Sequence, residues 1–438
     1  MRARACASLG CGIAGDKTGA DLNEIASSEF PPAAAPAGGS PARARFTGAT
    51  RVFRKLMIRG ALLQVVTLGI YRFWLTTDAR RFLWANTEVE GDSLEYTGTA
   101  TELFLGFLIA IALLVPVYVL LFLGTLELGL VSRFSSAAAF VFLAVFGQYA
   151  YFRARRYRLT RTVFRGLRFH QSGSALSYAL RALVWWIATG ITLGLAYPWA
   201  QASLERYKLA HTHYGEWQGK FAGSGTRLFL RGIGLWLMMI GSFVAYAFAL
   251  TFINSVAPMR AAGAGSMDAT TVIAVLIAAG LGFSLFVVAA VVYAILQGII
   301  MRWWLAGLRF GPVVVATTLK KRQVFGAYLR CFLYALLLLI VLSVVVGAVM
   351  APFGAGMATS KEANQVMGGI LVICLYLSFA VGLWVIYQVT IKLGIWRMAV
   401  DSVELAGFDA IERVRADDTR PSSAVGEGLA DALGAGGI

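Results

Sequence analysis

Arginine and glutamine set inside apolar sequence are the residues here with chemistry to offer. Arg181, Arg231 and Arg330 each lie one or two turns into an apolar segment. Gln148, Gln297 and Gln388 sit toward the ends of three apolar segments, each followed by a cation: Arg153, Arg302 and Lys392. A guanidinium is a permanent cation with a fixed fork of donors, so several facing one interior would make an anion site, with the glutamines as a polar ring at its mouth. The same residues have a plainer use. Near helix ends long cations run their heads to the membrane surface, and glutamine hydrogen-bonds between helices. His211 and His213 are two apart and would share one face of a strand. They make a poor metal site, because the chain has only 3 histidines and such sites need three or four ligands. Cys6, Cys11, Cys331 and Cys374 show no metal spacing, and the last two read as small buried hydrophobes. There is no glycine-rich phosphate loop, nucleophile elbow or zincin helix. The sequence therefore nominates no catalytic residue, no metal and no cofactor, and the expectation is a protein that is not an enzyme.

The elements that must position these side chains are membrane helices. The chain of 438 residues is 58% hydrophobic and only 14% charged, where a soluble protein carries about 25% charged residues. Its net charge of +16 does not point to nucleic acid, since the arginines and lysines flank apolar runs instead of forming a soluble basic face. Segments 103–123, 137–152, 228–253, 271–301, 328–350 and 366–391 each have the length a bilayer core requires. Two further segments, 56–75 and 178–199, are short and broken. Thr99 precedes Glu102 by capping-box spacing at the start of the first full span. Tyr, Phe and Trp cluster at the presumed borders, as an aromatic belt does.

A repeat organises the chain. Thr67, Gly69, Trp74, Arg81, Thr87 and Gly98 recur at constant offset as Thr192, Gly194, Trp199, Arg206, Thr212 and Gly223. A smaller motif, Arg plus an aromatic followed some ten residues later by Gly, opens at Arg81, Arg156, Arg206 and Arg302. The polar stretches after it read as strand, turn and strand, which predicts small interfacial β-hairpins between helices. The division this implies is a disordered tail at 1–44, membrane repeats at 45–168 and 169–301, a reduced third repeat at 302–410, and a second disordered tail at 411–438.

Charge sets the topology. Links 153–168, 200–227 and 302–322 are rich in Arg and Lys, while loops 124–136, 254–270 and 351–365 hold few. The positive-inside rule puts the rich links in the cytoplasm. Both flanks of 56–75 and of 178–199 are then cytoplasmic, so these segments re-enter or lie in the interface. The expected fold is an all-α polytopic membrane protein with six full transmembrane helices, two short broken or re-entrant segments, interfacial β-hairpins and an internal repeat. The alternative has eight spans, with the two copies inverted as in many secondary transporters.

The run Thr67–Trp74 with Arg80–Trp84, Asn86–Thr87 and Glu95–Thr99, and its second copy from Thr192 to Tyr207, resembles the YjgN-like family of bacterial inner-membrane proteins. The resemblance covers roughly 45–410. It implies a multi-pass inner-membrane location and supplies no activity and no functional residues. The functional expectation is transport or binding of a small amphiphile, lipid or anion. The alternative is a structural, envelope-organising protein that docks headgroups or partner proteins. Membrane lipids are the expected partners, with no nucleic acid; a homo-oligomer and a protein partner stay open, and the C-terminus is placed in the cytoplasm.

Overall fold

The computed structural model describes residues 41–123, 130–261, 269–354, 361–415 and 429. Most of the two tails, and parts of the three charge-poor loops, lie outside these residues. Strand β1 (Ala42–Phe46) leads into two short helices, α1 (Thr50–Val66) and α2 (Arg72–Ala85). It begins within the stretch read as tail, because alternate Ala42, Ala44 and Phe46 are buried, a strand period too short to stand out in alanine-rich sequence. Strands β2 (Thr87–Val89), β3 (Asp92–Ser93) and β4 (Glu95–Tyr96) precede the long helices α3 (Ala100–Leu123) and α4 (Leu130–Thr160). Strands β5 (Thr162–Phe164) and β6 (Leu167–Gln171) lead to a second short pair, α5 (Ala175–Ile191) and α6 (Tyr197–Ala210). Strands β7 (Thr212–Tyr214) and β8 (Trp217–Phe221) precede α7 (Gly225–Ala261) and α8 (Ala269–Gly307). Strands β9 (Leu308–Phe310) and β10 (Val313–Thr317) precede α9 (Lys321–Gly354) and α10 (Lys361–Tyr387). A π-helical segment (Gln388–Leu393), helix α11 (Gly394–Asp401), strand β11 (Val403–Ala406) and a 3-10 turn (Phe408–Arg413) complete the described chain. Among the described residues, 6 helices are long and apolar enough to cross a membrane.

The chain is largely helical, as expected, and its strands add what the all-α class leaves out. Among the described residues they form one antiparallel sheet of 11 strands, in the order β3-β2-β1-β11-β10-β9-β8-β7-β6-β5-β4. Its two edges, β3 and β4, are separated in the chain by Leu94 alone, so the sheet almost closes into a ring. The physical reason is that strands of two to five residues cannot stand alone, and a ring leaves almost no open edge. The joints repeat. Backbone N–H groups of Thr47, Thr97, Ser172, Ala222 and Thr318 donate to the carbonyls of Asn86, Arg161, His211, Gly307 and Ser402, at 3.0, 2.9, 2.8, 2.9 and 2.9 Å. Each donor ends one station of the ring and each acceptor precedes the next. One station is built from both ends of the described chain, because β1 pairs with β11. Two-residue turns close the hairpins. Glu90-Gly91 and Arg165-Gly166 take positive φ at both positions, which suits the right-handed twist of the strands.

Burial alternates across the ring. Inward residues such as Phe46, Phe164, Tyr214 and Phe221 are buried, while Arg43, Arg45, Arg168, Lys220 and Arg309 lie on exposed positions of the same strands. Phe408, on the 3-10 turn, packs among Ala42, Phe164 and Tyr214, and Arg415 accepts from the N–H of Glu216 at 3.3 Å. The segment after β11 therefore straps across the ring. Burial also pushes the Tyr214 phenol up to about 12, its hydroxyl donating to the Phe164 carbonyl at 3.0 Å.

The two short helix pairs bend at the same device. Thr67 Oγ1 donates to Leu63 O at 2.8 Å and accepts from Tyr71 N at 3.0 Å. Thr192 Oγ1 donates to Ala188 O at 2.7 Å and accepts from Ala196 N at 3.0 Å. The hydroxyl thus finishes one helix and starts the next. Leu68 and Leu193 follow at φ 51 and 49, then Gly69 and Gly194 both at φ 92. A Cβ on Gly69 would meet nothing within 4 Å, so the demand for glycine is purely conformational. Gly69→Ala and Gly194→Ala are each expected to lower stability by about 1–2 kcal/mol, read as the shift in thermal unfolding of the detergent-solubilised protein. Unchanged midpoints would show that the turn relaxes freely.

Candidate functional site

Where helices meet the ring, polar side chains are buried and paired. Thr87, Thr162 and Thr212 open strands β2, β5 and β7, and each hydroxyl donates to the carbonyl four residues back, at 2.7, 2.9 and 2.7 Å. Each then accepts from another helix: Trp396 Nε1 at 3.0 Å, Trp84 Nε1 at 3.0 Å and Arg155 Nη1 at 2.8 Å. Lys208 Nζ lies 2.5 Å from Glu205 Oε1, and Glu205 Oε2 accepts from Trp304 Nε1 at 3.0 Å. Burial opposes the Lys208 ammonium, but Tyr151 and Glu205 beside it hold its pKa above the ordinary lysine value. Arginines clamp the strand exits: Arg81 Nη2 donates to Gly98 O at 3.0 Å and Arg206 Nη2 to Gly223 O at 3.2 Å. A Cβ on Gly98 or Gly223 would strike the ring of Tyr96 or Phe221, which is why glycine stands at both. Trp74 packs on Phe104 at 6.0 Å and Trp199 on Phe229 at 4.9 Å. These contacts are scaffold: every group has a partner within the protein.

A cleft of about 850 Å³ differs in kind. Its walls come from α1, α9, the end of α10, the π-helical segment and α11. Arg54, Arg330 and Arg397 line it, with Thr50, Tyr334 and Thr390 among the polar neighbours. The rest of the lining is apolar, including Leu337, Leu338, Val341, Val385 and Ile386. Among the described residues no carboxylate lines it; Asp401, outside the lining, lies 3.8 Å from Arg397. Asp401 is also engaged by the N–H of Phe46 at 2.8 Å. The wider π turn, which carries Val389, Thr390 and Leu393, forms part of the wall.

The six residues nominated from the sequence do not share one place. Arg330 lines the cleft and also donates to Gly326 O at 3.1 Å. Arg181 lies over the Tyr207 ring, 4.8 Å from its centre. Arg231, Gln148 and Gln297 are half-buried on α7, α4 and α8. Gln388 is buried, and its Oε1 has no hydrogen-bond partner among the described residues. His211 Nδ1 sits 2.8 Å from Tyr207 O, and His213 stacks on His170 at 4.7 Å. Cys374 is exposed on α10, which corrects its reading as a buried hydrophobe: it faces outward from a membrane span.

Over residues 41–432 the chain matches the family described as "Bacterial protein of unknown function (DUF898)". The chain belongs to DUF898. It is 26% identical over 142 residues to the inner membrane protein YjgN of Escherichia coli O157:H7, a stretch that is 32% of this chain and 32% of that relative. No solved structure matches. With its six apolar helices, this DUF898 protein is a multi-pass inner-membrane protein. Sequence reasoning missed Arg54 and Arg397 in it, since both sit in basic flanks where membrane topology alone accounts for a cation. Their common neighbourhood arises only because β1, β11 and β10 lie side by side in the ring.

Proposed function

We propose that this DUF898 protein binds or moves a small amphiphile, lipid or anion from the cytoplasmic side of the membrane, without catalysing a reaction. One observation carries the reading: the two short helix pairs begin and end at the ring yet present apolar tips. Val66 and Leu68 are 78% and 93% exposed, and Ile191 and Leu193 are 79% and 74% exposed. A tip of this kind is at home in hydrocarbon. Beyond Arg59 the first helix has only the residues 60–66 before its turn, roughly 10 Å of helix, against a hydrocarbon core of about 30 Å. We therefore read 56–75 and 178–199 as re-entrant, with six crossings and a cytoplasmic C-terminus, and not as the additional spans of an eight-helix inverted repeat. The shared offsets of hinge, clamp and strand start support a duplicated unit joined by hairpins. A wall of helices interrupted at half height gives an amphiphile a lateral way in from the leaflet. The second reading, docking of headgroups or a protein partner, is favoured by the exposed basic positions Arg43, Arg45, Arg168, Lys220 and Arg309 on the ring.

Native mass spectrometry of the purified protein tests the reading, with a retained amphiphile expected. If stringent delipidation leaves a fully stable protein that no amphiphile class then stabilises, the reading fails. Labelling Arg168→Cys tests the topology, because the eight-span arrangement puts the 153–168 link outside and the re-entrant one keeps it in the cytoplasm. Reaction in inside-out vesicles only is expected, and labelling from the periplasmic side would sink the re-entrant arrangement.

A further inference from the structure

We infer that the cleft lined by Arg54, Arg330 and Arg397 is a binding site for one anionic phospholipid of the cytoplasmic leaflet. Its role in amphiphile handling rests on the reading above, but the site itself stands on its own geometry. The three guanidinium groups come from three separate elements: the first turns of α1, the third turn of α9 and the middle of α11. These elements adjoin β1, β10 and β11, which are neighbours in the ring. Helix rise sets the depth of each residue. Arg54 and Arg397 lie four residues from the ring-side ends of their helices, roughly 6 Å, and Arg330 roughly 14 Å. Leu337, Leu338 and Val341 continue the same wall of α9 to roughly 24–30 Å from the ring. The cleft is thus cationic near the ring and apolar away from it, the order in which a lipid at the cytoplasmic surface presents headgroup and chains.

Charge decides the class of headgroup. Three cations line the cleft without a lining carboxylate, so a zwitterionic headgroup would bring its own cation into a field that repels it. A phosphate diester without a counter-charge receives charge-assisted bonds from guanidinium forks. The apolar wall argues for a lipid over a free anion. A phosphate ion would leave those leucines and valines uncovered, whereas an acyl chain covers them. A volume of about 850 Å³ is ample for a headgroup with the upper part of its chains.

The test is thermal unfolding of the full chain in detergent with three probes: short-chain phosphatidylglycerol, phosphatidylcholine with the same chains, and inorganic phosphate. Saturable stabilisation by phosphatidylglycerol alone is expected. The variant Arg54→Gln/Arg330→Gln/Arg397→Gln should keep its unliganded midpoint and bind phosphatidylglycerol about tenfold more weakly or worse. If that variant fails to fold, Val341→Trp serves instead, filling the apolar wall with all three cations in place, and should weaken phosphatidylglycerol comparably. Equal stabilisation by phosphatidylcholine overturns the headgroup assignment. Stabilisation by inorganic phosphate alone makes this a free-anion site and overturns the lipid. An undiminished response in the variants places the lipid elsewhere. Native mass spectrometry separates this proposal from the broader one. Equal retention of amphiphile by wild type and triple variant would end this site and leave the function standing; a triple variant that loses the phosphatidylglycerol response while neither protein retains a native amphiphile would do the reverse.

Discussion

Lys208→Met is expected to destabilise the detergent-solubilised protein by about 3–5 kcal/mol, the range for stranding one partner of a buried ion pair. Lys208 and Glu205 are 7% and 9% exposed, and the Arg155 guanidinium bears on the same carboxylate from farther away. Methionine matches the lysine stem in volume, so lost packing is a minor part of the effect. Removing the charge on the second partner should then help. Lys208→Met/Glu205→Gln keeps an amide oxygen for Trp304 Nε1 and is expected to regain half or more of the loss in thermal or denaturant unfolding. A double variant as unstable as the single one would place the cost in packing against Tyr151, whose ring lies 5.4 Å from the ammonium. The pH dependence has a definite sign. The folded-state pKa of Lys208 is raised above 10.5, so the pair's contribution is complete below that value and is lost as the pH rises through the folded pKa. Wild type should therefore lose stability in strong alkali more steeply than the double variant.

Leu405→Pro should open the ring at its seam. Leu405 pairs with Ala42 on one side and Val315 on the other, so β11 is an interior strand. Proline there removes an N–H and puts a ring where a neighbouring strand lies, at a cost of about 3 kcal/mol or more. Leu405→Ile, which keeps size and N–H, should lose less than about 1.5 kcal/mol. Limited proteolysis gives the local readout, with cleavage near Arg43 and Arg45 appearing in the proline variant and absent in the isoleucine one. Equal resistance in both would mean that β1 does not depend on β11.

The membrane character of the chain was legible because bilayer physics writes itself into long runs: the six crossing helices begin or end within a few residues of apolar runs visible in the sequence. Thr67-Leu68-Gly69 was legible as a break for a local reason, since the αL conformation favours glycine and a threonine hydroxyl can cap both helices. The ring was not legible. Strands such as Asp92–Ser93 and Glu95–Tyr96 are too short for any period, and what fixes them is pairing with segments far along the chain, Glu95 with Val163 and Tyr96 with Thr162. The cationic cleft was half visible. Arg330 stood out inside an apolar run, whereas Arg54 and Arg397 were hidden among flanking cations, and only the adjacency of β1, β11 and β10 gathers the three.

That adjacency also imposes a timetable. The N–H of Phe46 bonds to Asp401 across 355 residues. At about 5–20 residues per second of synthesis, β1 waits roughly 20–70 s for its neighbour. Through that interval six helices enter the membrane while the first strand keeps an unpaired edge, and contacts of such long range come last in folding. The seam therefore closes only after β11 has been made. A chain halted before β11 has its apolar helices made but leaves the β1 edge without its neighbour, an open template for pairing with another chain.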